Sequence, residues 1–281
     1  MNKLLILLVT FLSLHAFDAF ITPSELKNSL TNDNLIIMDV GSNALYKQSH
    51  IQNAIHVDVL NFSDSDKIQE LISKLGINSN SDVVIYSHNT DKGALNSSYL
   101  ALKLIINGFE RVSILDGGYM AWLFEYELLT CTLPNSDLVD GNYTVSYNPN
   151  IFVDVEYVKQ SLYKKTILDS RSPAHYFGIL RSKNIERIGH IQSASSSYYK
   201  NNFLTDGTLR PKDELISIYI DGHEIAPDDE VIVYGTDLYE ASMNWYILYK
   251  VMNIKKAKIY EASLAEWGNN PELPMTKFKW E

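Results

Sequence analysis

The sequence predicts an α/β protein built twice over, with two successive domains, each a mainly parallel sheet covered by helices on both faces. Two observations carry this. Short sequence blocks recur in the same order at similar spacing, and in each copy a β-branched apolar run leads through a polar loop into a helical period. Length agrees, since about 260 residues behind an N-terminal leader suit two domains of ordinary size.

Taken in chain order, residues 1–19 have the layout of a secretory signal peptide. Lys3 supplies a positive charge, Leu4–Leu14 is apolar apart from Thr10 and Ser13, and small residues follow at Ala16 and Ala19. The run is shorter than the roughly 20 residues that a permanent membrane helix needs. Cleavage after Ala16 or Ala19 is expected, with a periplasmic or secreted product and no membrane span after cleavage. The first domain then occupies residues 20–130. Thr22-Pro23-Ser24-Glu25-Leu26 is a helix start, and Ile21–Leu30 is its opening helix. Residues 131–149 hold Pro134, Asn135, Asp137, Gly141, Asn148 and Pro149 with no sustained period, as a linker does. The second domain covers residues 150–281, with Ile151–Leu162 as the matching opening helix.

The repeated blocks supply the rest. Leu35–Val40 (LIIMDV) matches Thr166–Arg171 (TILDSR), each an apolar run reaching an Asp. Ser49–Ala54 (SHIQNA) matches Gly189–Ala194 (GHIQSA), which sets His50 over His190. Asp82–His88 (DVVIYSH) matches Glu230–Thr236 (EVIVYGT), with Tyr86 over Tyr234. Ile114–Glu125 matches Ile259–Asn270, with Trp122 over Trp267. VVIY and VIVY are strands buried on both faces of a parallel sheet. Behind them, Leu95, Tyr99, Leu102 and Ile106 in one copy, and Ala241, Trp245, Leu248 and Met252 in the other, keep helical spacing. Asn107-Gly108 supplies a C-cap. Val112–Leu115 and Ala257–Tyr260 are the strands that follow.

Composition narrows function. A net charge of −10 with no Lys/Arg cluster argues against nucleic acid. Cys131 is the sole cysteine, so no internal disulfide and no cysteine-built metal site can form. The seven histidines show no HxxxH pairing, and neither a metal nor another cofactor is expected.

A strand ending in Asp, a [G/S]HI-x-x-A turn, a VxxY strand feeding a loop and helix, and LDGG-x-x-x-W together resemble the rhodanese domain. The tandem arrangement resembles the thiosulfate and 3-mercaptopyruvate sulfurtransferases. That resemblance implies a sulfur-group transferase with a nucleophilic Cys closing the second-domain strand. Loop amides and a helix N-terminus lower the thiol pKa, and sulfur passes from a small anionic sulfur compound through a persulfide. This chain departs from the pattern. Gly235 stands at the nucleophile position, in the loop Gly235-Thr236-Asp237-Leu238-Tyr239-Glu240, and Ser87 stands at the first-domain equivalent, beside His88. The loop has no Lys or Arg for an anionic donor, and Asp237 and Glu240 take their place. The expectation is therefore a degenerate member acting as an envelope binding or scaffold module, its partner a small anionic sulfur compound or a protein. The alternative is an active sulfurtransferase working through Cys131 or a partner's thiol. The loop's amide cradle is expected to survive the loss of the thiol.

Other residues have plainer readings beside functional ones. Asp169 and Arg171 match the family's D-x-R strand end, where Arg171 either holds the loop or receives an anion. His50 and His190 serve turn architecture, and Trp122 and Trp267 belong to the core. Ser87-His88 looks like a nucleophile beside a base, yet adjacent residues rarely point at one another, so both are read as loop residues capping a helix. Asn96-Ser97-Ser98 and Asn142-Tyr143-Thr144 fit the N-glycosylation pattern, which only a eukaryotic secretory route would use.

Overall fold

The computed structural model describes residues 18–88, 93–126, 129–132 and 139–281. The leader, Leu4–Leu14 included, lies outside the described residues, as does the middle of the linker. In the first domain five parallel strands run in the order Phe20–Ile21, Val112–Leu115, Asp82–Tyr86, Leu35–Asp39, Ile55–His56. The second domain repeats that order with Phe152–Val153, Lys258–Tyr260, Val231–Tyr234, Thr166–Asp169 and Ser195–Ser196, again all parallel. The duplicated blocks thus encode one topology twice. VVIY and VIVY lie at the centre of their sheets and are fully buried, as continuous β-branched runs must be when helices cover both faces.

The edge strands Phe20–Ile21 and Phe152–Val153 correct the sequence reading, which gave Ile21 and Ile151–Val153 to opening helices. The helices start later, at Pro23 and Val155. Thr22 and Glu25 form a reciprocal capping box with Pro23 in the first turn, and Asp154 caps the second helix through the Tyr157 amide. Residues ahead of a cap have extended backbone, and these pair with the sheet. Gly108 has φ +88°, while Gly108 N–H bonds to Ile105 O and Phe109 N–H to Leu104 O, a Schellman ending that only a left-handed residue permits cheaply.

The repeated HI-x-x-A blocks prove to be identical turns. Ala54 N–H closes on Ile51 O and Ala194 N–H on Ile191 O, both at 3.0 Å, with Asn53 and Ser193 at positive φ. Ahead of each turn the buried His packs flat on a tyrosine ring, His50 on Tyr46 and His190 on Tyr176. Each His donates from Nδ1 to that tyrosine's backbone carbonyl, and the tyrosine hydroxyl donates to the turn's last carbonyl. Burial lowers the His190 pKa, so that ring stays neutral at pH 7.

The two domains share a core. The helices Gly93–Ile106 and Leu238–Tyr246 pack on each other, joined by the buried Ser98–Ser242 hydroxyl pair at 2.8 Å and the stacked Tyr99 and Tyr239 rings at 4.3 Å. Among the described residues no helix is long and apolar enough to cross a membrane.

Candidate functional site

Both sheets present their C-terminal strand ends toward the region where α/β proteins hold ligands. In the second domain Val231–Tyr234 ends there, and Gly235 follows. Its φ is not positive, so the glycine does not serve a left-handed turn. It serves space instead. A Cβ at Gly235 would lie 2.7 Å from the Glu240 Cβ and 2.9 Å from the Asp237 carbonyl oxygen. The loop has closed over the volume a side chain would need.

The expected open amide cradle is also filled. Asp237 caps the Leu238–Tyr246 helix by accepting from Tyr239 N–H at 3.0 Å, and Glu240 reaches back to accept Thr236 N–H at 2.7 Å. The chain thus supplies its own carboxylate to an amide at the loop, in a variant of the capping box. Burial pushes the Glu240 carboxyl above the ordinary carboxylate range, and the Thr236 N–H pulls it partway back. Leu238 opens the helix, and Thr236 Oγ1 meets Ser182 Oγ at 3.1 Å.

Arg171 is not available to an incoming anion. Its Nε lies 2.9 and 3.1 Å from the two Asp169 oxygens, a terminal nitrogen completes the ion pair, and that nitrogen also donates to Gly189 O at 2.7 Å. Both residues are buried. Tyr234 OH donates to Asp169 at 2.6 Å and receives Ile191 N–H, so strand end, turn and loop form one network. Of the two roles open to Arg171, the geometry supports holding the structure together.

The first domain meets the same need differently. Gly41 occupies the position equivalent to Arg171, which leaves the buried Asp39 without an arginine. His88, from the loop, fills that slot with Nε2 3.1 Å from Asp39. A side chain on Gly41 would sit 2.7 Å from the His88 ring, so the small residue and the His belong together. Ser87 donates to the His88 backbone carbonyl at 3.2 Å and not to its ring. Nucleophile-and-base geometry is therefore absent from the described part of that loop; residues 89–92 lie outside the described residues.

Between the domains lies a cleft of about 720 Å³ that brings Thr236, Asp237, Tyr239 and Glu240 opposite Ser87, His56, Asp58 and Asn96. Val40, Leu45, Val57, Val59, Leu60 and Leu95 supply apolar wall. His56 and Asp58 were missed in the sequence because both lie on the first domain outside any motif, and Asn96 was noted there only within an N-glycosylation pattern. The available signal was position, since His56 ends a sheet strand and Asp58 follows it. Arg171, Asp169 and His88 do not line this cleft, and Cys131, exposed just beyond the Leu129–Thr130 strand, does not either.

Comparison with known proteins places this geometry. The Rhodanese-like domain family matches residues 22–125 and 154–270. Sulfur carrier protein TtuD of Thermus thermophilus is 25% identical over 92% of this chain and 97% of its own. A thiosulfate sulfurtransferase of Corynebacterium glutamicum is 25% identical over 92% of this chain and 90% of its own. Among solved structures, YnjE superposes with a TM-score of 0.81 at 19% identity, covering 95% of this chain and 70% of that one. SseA from Escherichia coli, a 3-mercaptopyruvate sulfotransferase, gives 0.71 at 23% identity, covering 86% and 97%. With both halves matched in the same order, this chain belongs to the rhodanese-like domain family and carries that domain twice.

Proposed function

We propose that this protein is an exported, tandem rhodanese-fold binding module that transfers no sulfur itself. One observation carries the reading: the position for a nucleophile has no side chain, and the loop has closed so that Glu240 takes the Thr236 amide. A persulfide needs a sulfur atom at that point and an environment that favours added negative charge. A carboxylate already in the loop opposes both the thiolate and an anionic donor. Export rests on the Leu4–Leu14 apolar run behind Lys3.

The test is turnover of thiosulfate with cyanide, and of 3-mercaptopyruvate, by the purified protein. The expected rate equals that of a protein-free control. Turnover that vanishes in Cys131→Ser would assign the reaction to that thiol and reject the module reading. Export is checked by intact mass, with a mature chain beginning at Phe17 or Phe20 expected and envelope protein retaining Met1 counting against it.

A further inference from the structure

The interdomain cleft has the dimensions of a ligand site, since such pockets span roughly 300–1,000 Å³ and this one holds about 720 Å³. The charge that the described residues bring to it is of one sign. Among the described residues lining it, the acidic ones are Asp58, Asp237 and Glu240, and there is no Lys or Arg. Asp58 comes from the first domain, the other two from the second. Each carboxylate is held by a backbone amide: Asp58 by Leu60 N–H at 3.0 Å, Asp237 by Tyr239 N–H at 3.0 Å, and Glu240 by Thr236 N–H at 2.7 Å. Their directions are thereby fixed. Tyr239 lines the same cleft, and its phenol pKa is raised by burial first and then by the Asp237 and Asp58 charges. The Tyr239 ring is in turn fixed against Tyr99.

A merely solvated acidic surface would lack the apolar wall that Val40, Leu45, Val57 and Leu95 give this cavity. Metal chelation fits poorly, because no group of three or more His, Cys, Asp or Glu among the described residues is arranged to hold an ion. What satisfies both wall and charge is a cation with an apolar body. Low-dielectric walls focus the field of carboxylates inside a cleft, which favours a positive ligand and repels thiosulfate.

We propose that the cleft binds a small organic cation, an ammonium group carried on an apolar body. The proposal rests on the binding-module reading and supplies its ligand class. The probes are three near-isosteres: 2-phenylethylammonium, 2-phenylethanol and 3-phenylpropionate, titrated calorimetrically into the full protein at low ionic strength. The ammonium should bind at least about ten-fold more tightly than the carboxylate, with the alcohol between them. The triple variant Asp58→Asn, Asp237→Asn, Glu240→Gln removes the charges but keeps oxygens that accept the same amides, and Asn remains a good N-cap. It should keep the unfolding midpoint within a few degrees and lose the preference for the cation. Equal or tighter binding of the carboxylate overturns the proposal. So does no binding of any probe at millimolar concentration, or a preference that survives in the triple variant. Sulfur turnover is measured separately. Turnover would reject the module reading whatever the cleft binds, whereas an inactive protein without cation preference would reject this proposal alone.

Discussion

Asp39 and Asp169 end equivalent strands, and both are completely buried, so each needs a partner. A buried carboxylate left alone is among the costliest things a fold can contain. Arg171 answers in the second domain and His88 in the first. Arg171→Met should therefore cost about 3–5 kcal/mol, read as a shifted midpoint in urea at constant slope. A loss below about 1 kcal/mol would mean that Tyr234 and the backbone suffice to hold Asp169. Glu240 gives a prediction with a sign. Burial raises its pKa in the folded chain, so the folded state holds the proton more tightly than the unfolded state does. The stability this contributes is full below the unfolded value of about 4.3 and is lost as pH rises through the folded value. Glu240→Gln removes that slope, and unfolding free energies from pH 4 to 8 should fall less steeply than in the parent. Parallel profiles would reject the assignment. The D-x-R strand end was legible in sequence because both residues lie in one block. His88 was not, since it stands 49 positions from Asp39 and only the sheet brings them together.

At the scale of elements, caps and periods located the helices, while segments without a period were left to long-range pairing. The presumed linker shows this. Residues 139–148 have no regular structure, yet they run along the first domain as an extended strap. Gly141 N–H bonds to Ser73 O at 2.7 Å, Tyr143 N–H to Ile77 O at 3.1 Å, and Asn148 N–H to Ile106 O at 2.7 Å. Gln69 grips the strap twice, donating to Tyr143 O and accepting from Val145 N–H. Gly141 is where the strap comes closest, for a Cβ there would fall 2.1 Å from Ile77 O. Gly141→Ala should then destabilise by about 1–3 kcal/mol, as overpacking does, and lower the melting temperature. An unchanged melting temperature would show that the strap lifts away at no cost. Turn residues such as Pro149 and Asn148 announce a connection in sequence but not the surface it lies on.

Across the whole molecule the domains are joined by a shared core, to which rim contacts such as Tyr249 with Glu110 are added. Buried Leu100, Leu104 and Ile105 of the first domain share one apolar cluster with Met243, Trp245 and Tyr246 of the second. Tyr246 OH donates to Ala19 O at 2.6 Å, tying the second domain to the start of the first. Such continuity predicts one cooperative thermal transition, with calorimetric and van't Hoff enthalpies in agreement. Two resolved peaks would show that the domains unfold independently and that the cleft between them is not held rigidly.

By itself the sequence determined the repeat, the parallel α/β class of each copy, the central VVIY and VIVY strands and a glycine, Gly235, directly after the second of them. Those follow from local periods and from blocks read against each other, and a buried strand or a helix cap needs only its neighbours in the chain to declare itself. The tertiary structure alone decided that Glu240 occupies the Thr236 amide, that Arg171 is held by Asp169, that His88 replaces it in the first domain, and that Asp58 faces Asp237 across a cleft. The first three depend on side-chain direction and on separations of about 3 Å, the range over which hydrogen bonds form or fail, and the last on how the two domains pack. No local pattern in the chain encodes that distance.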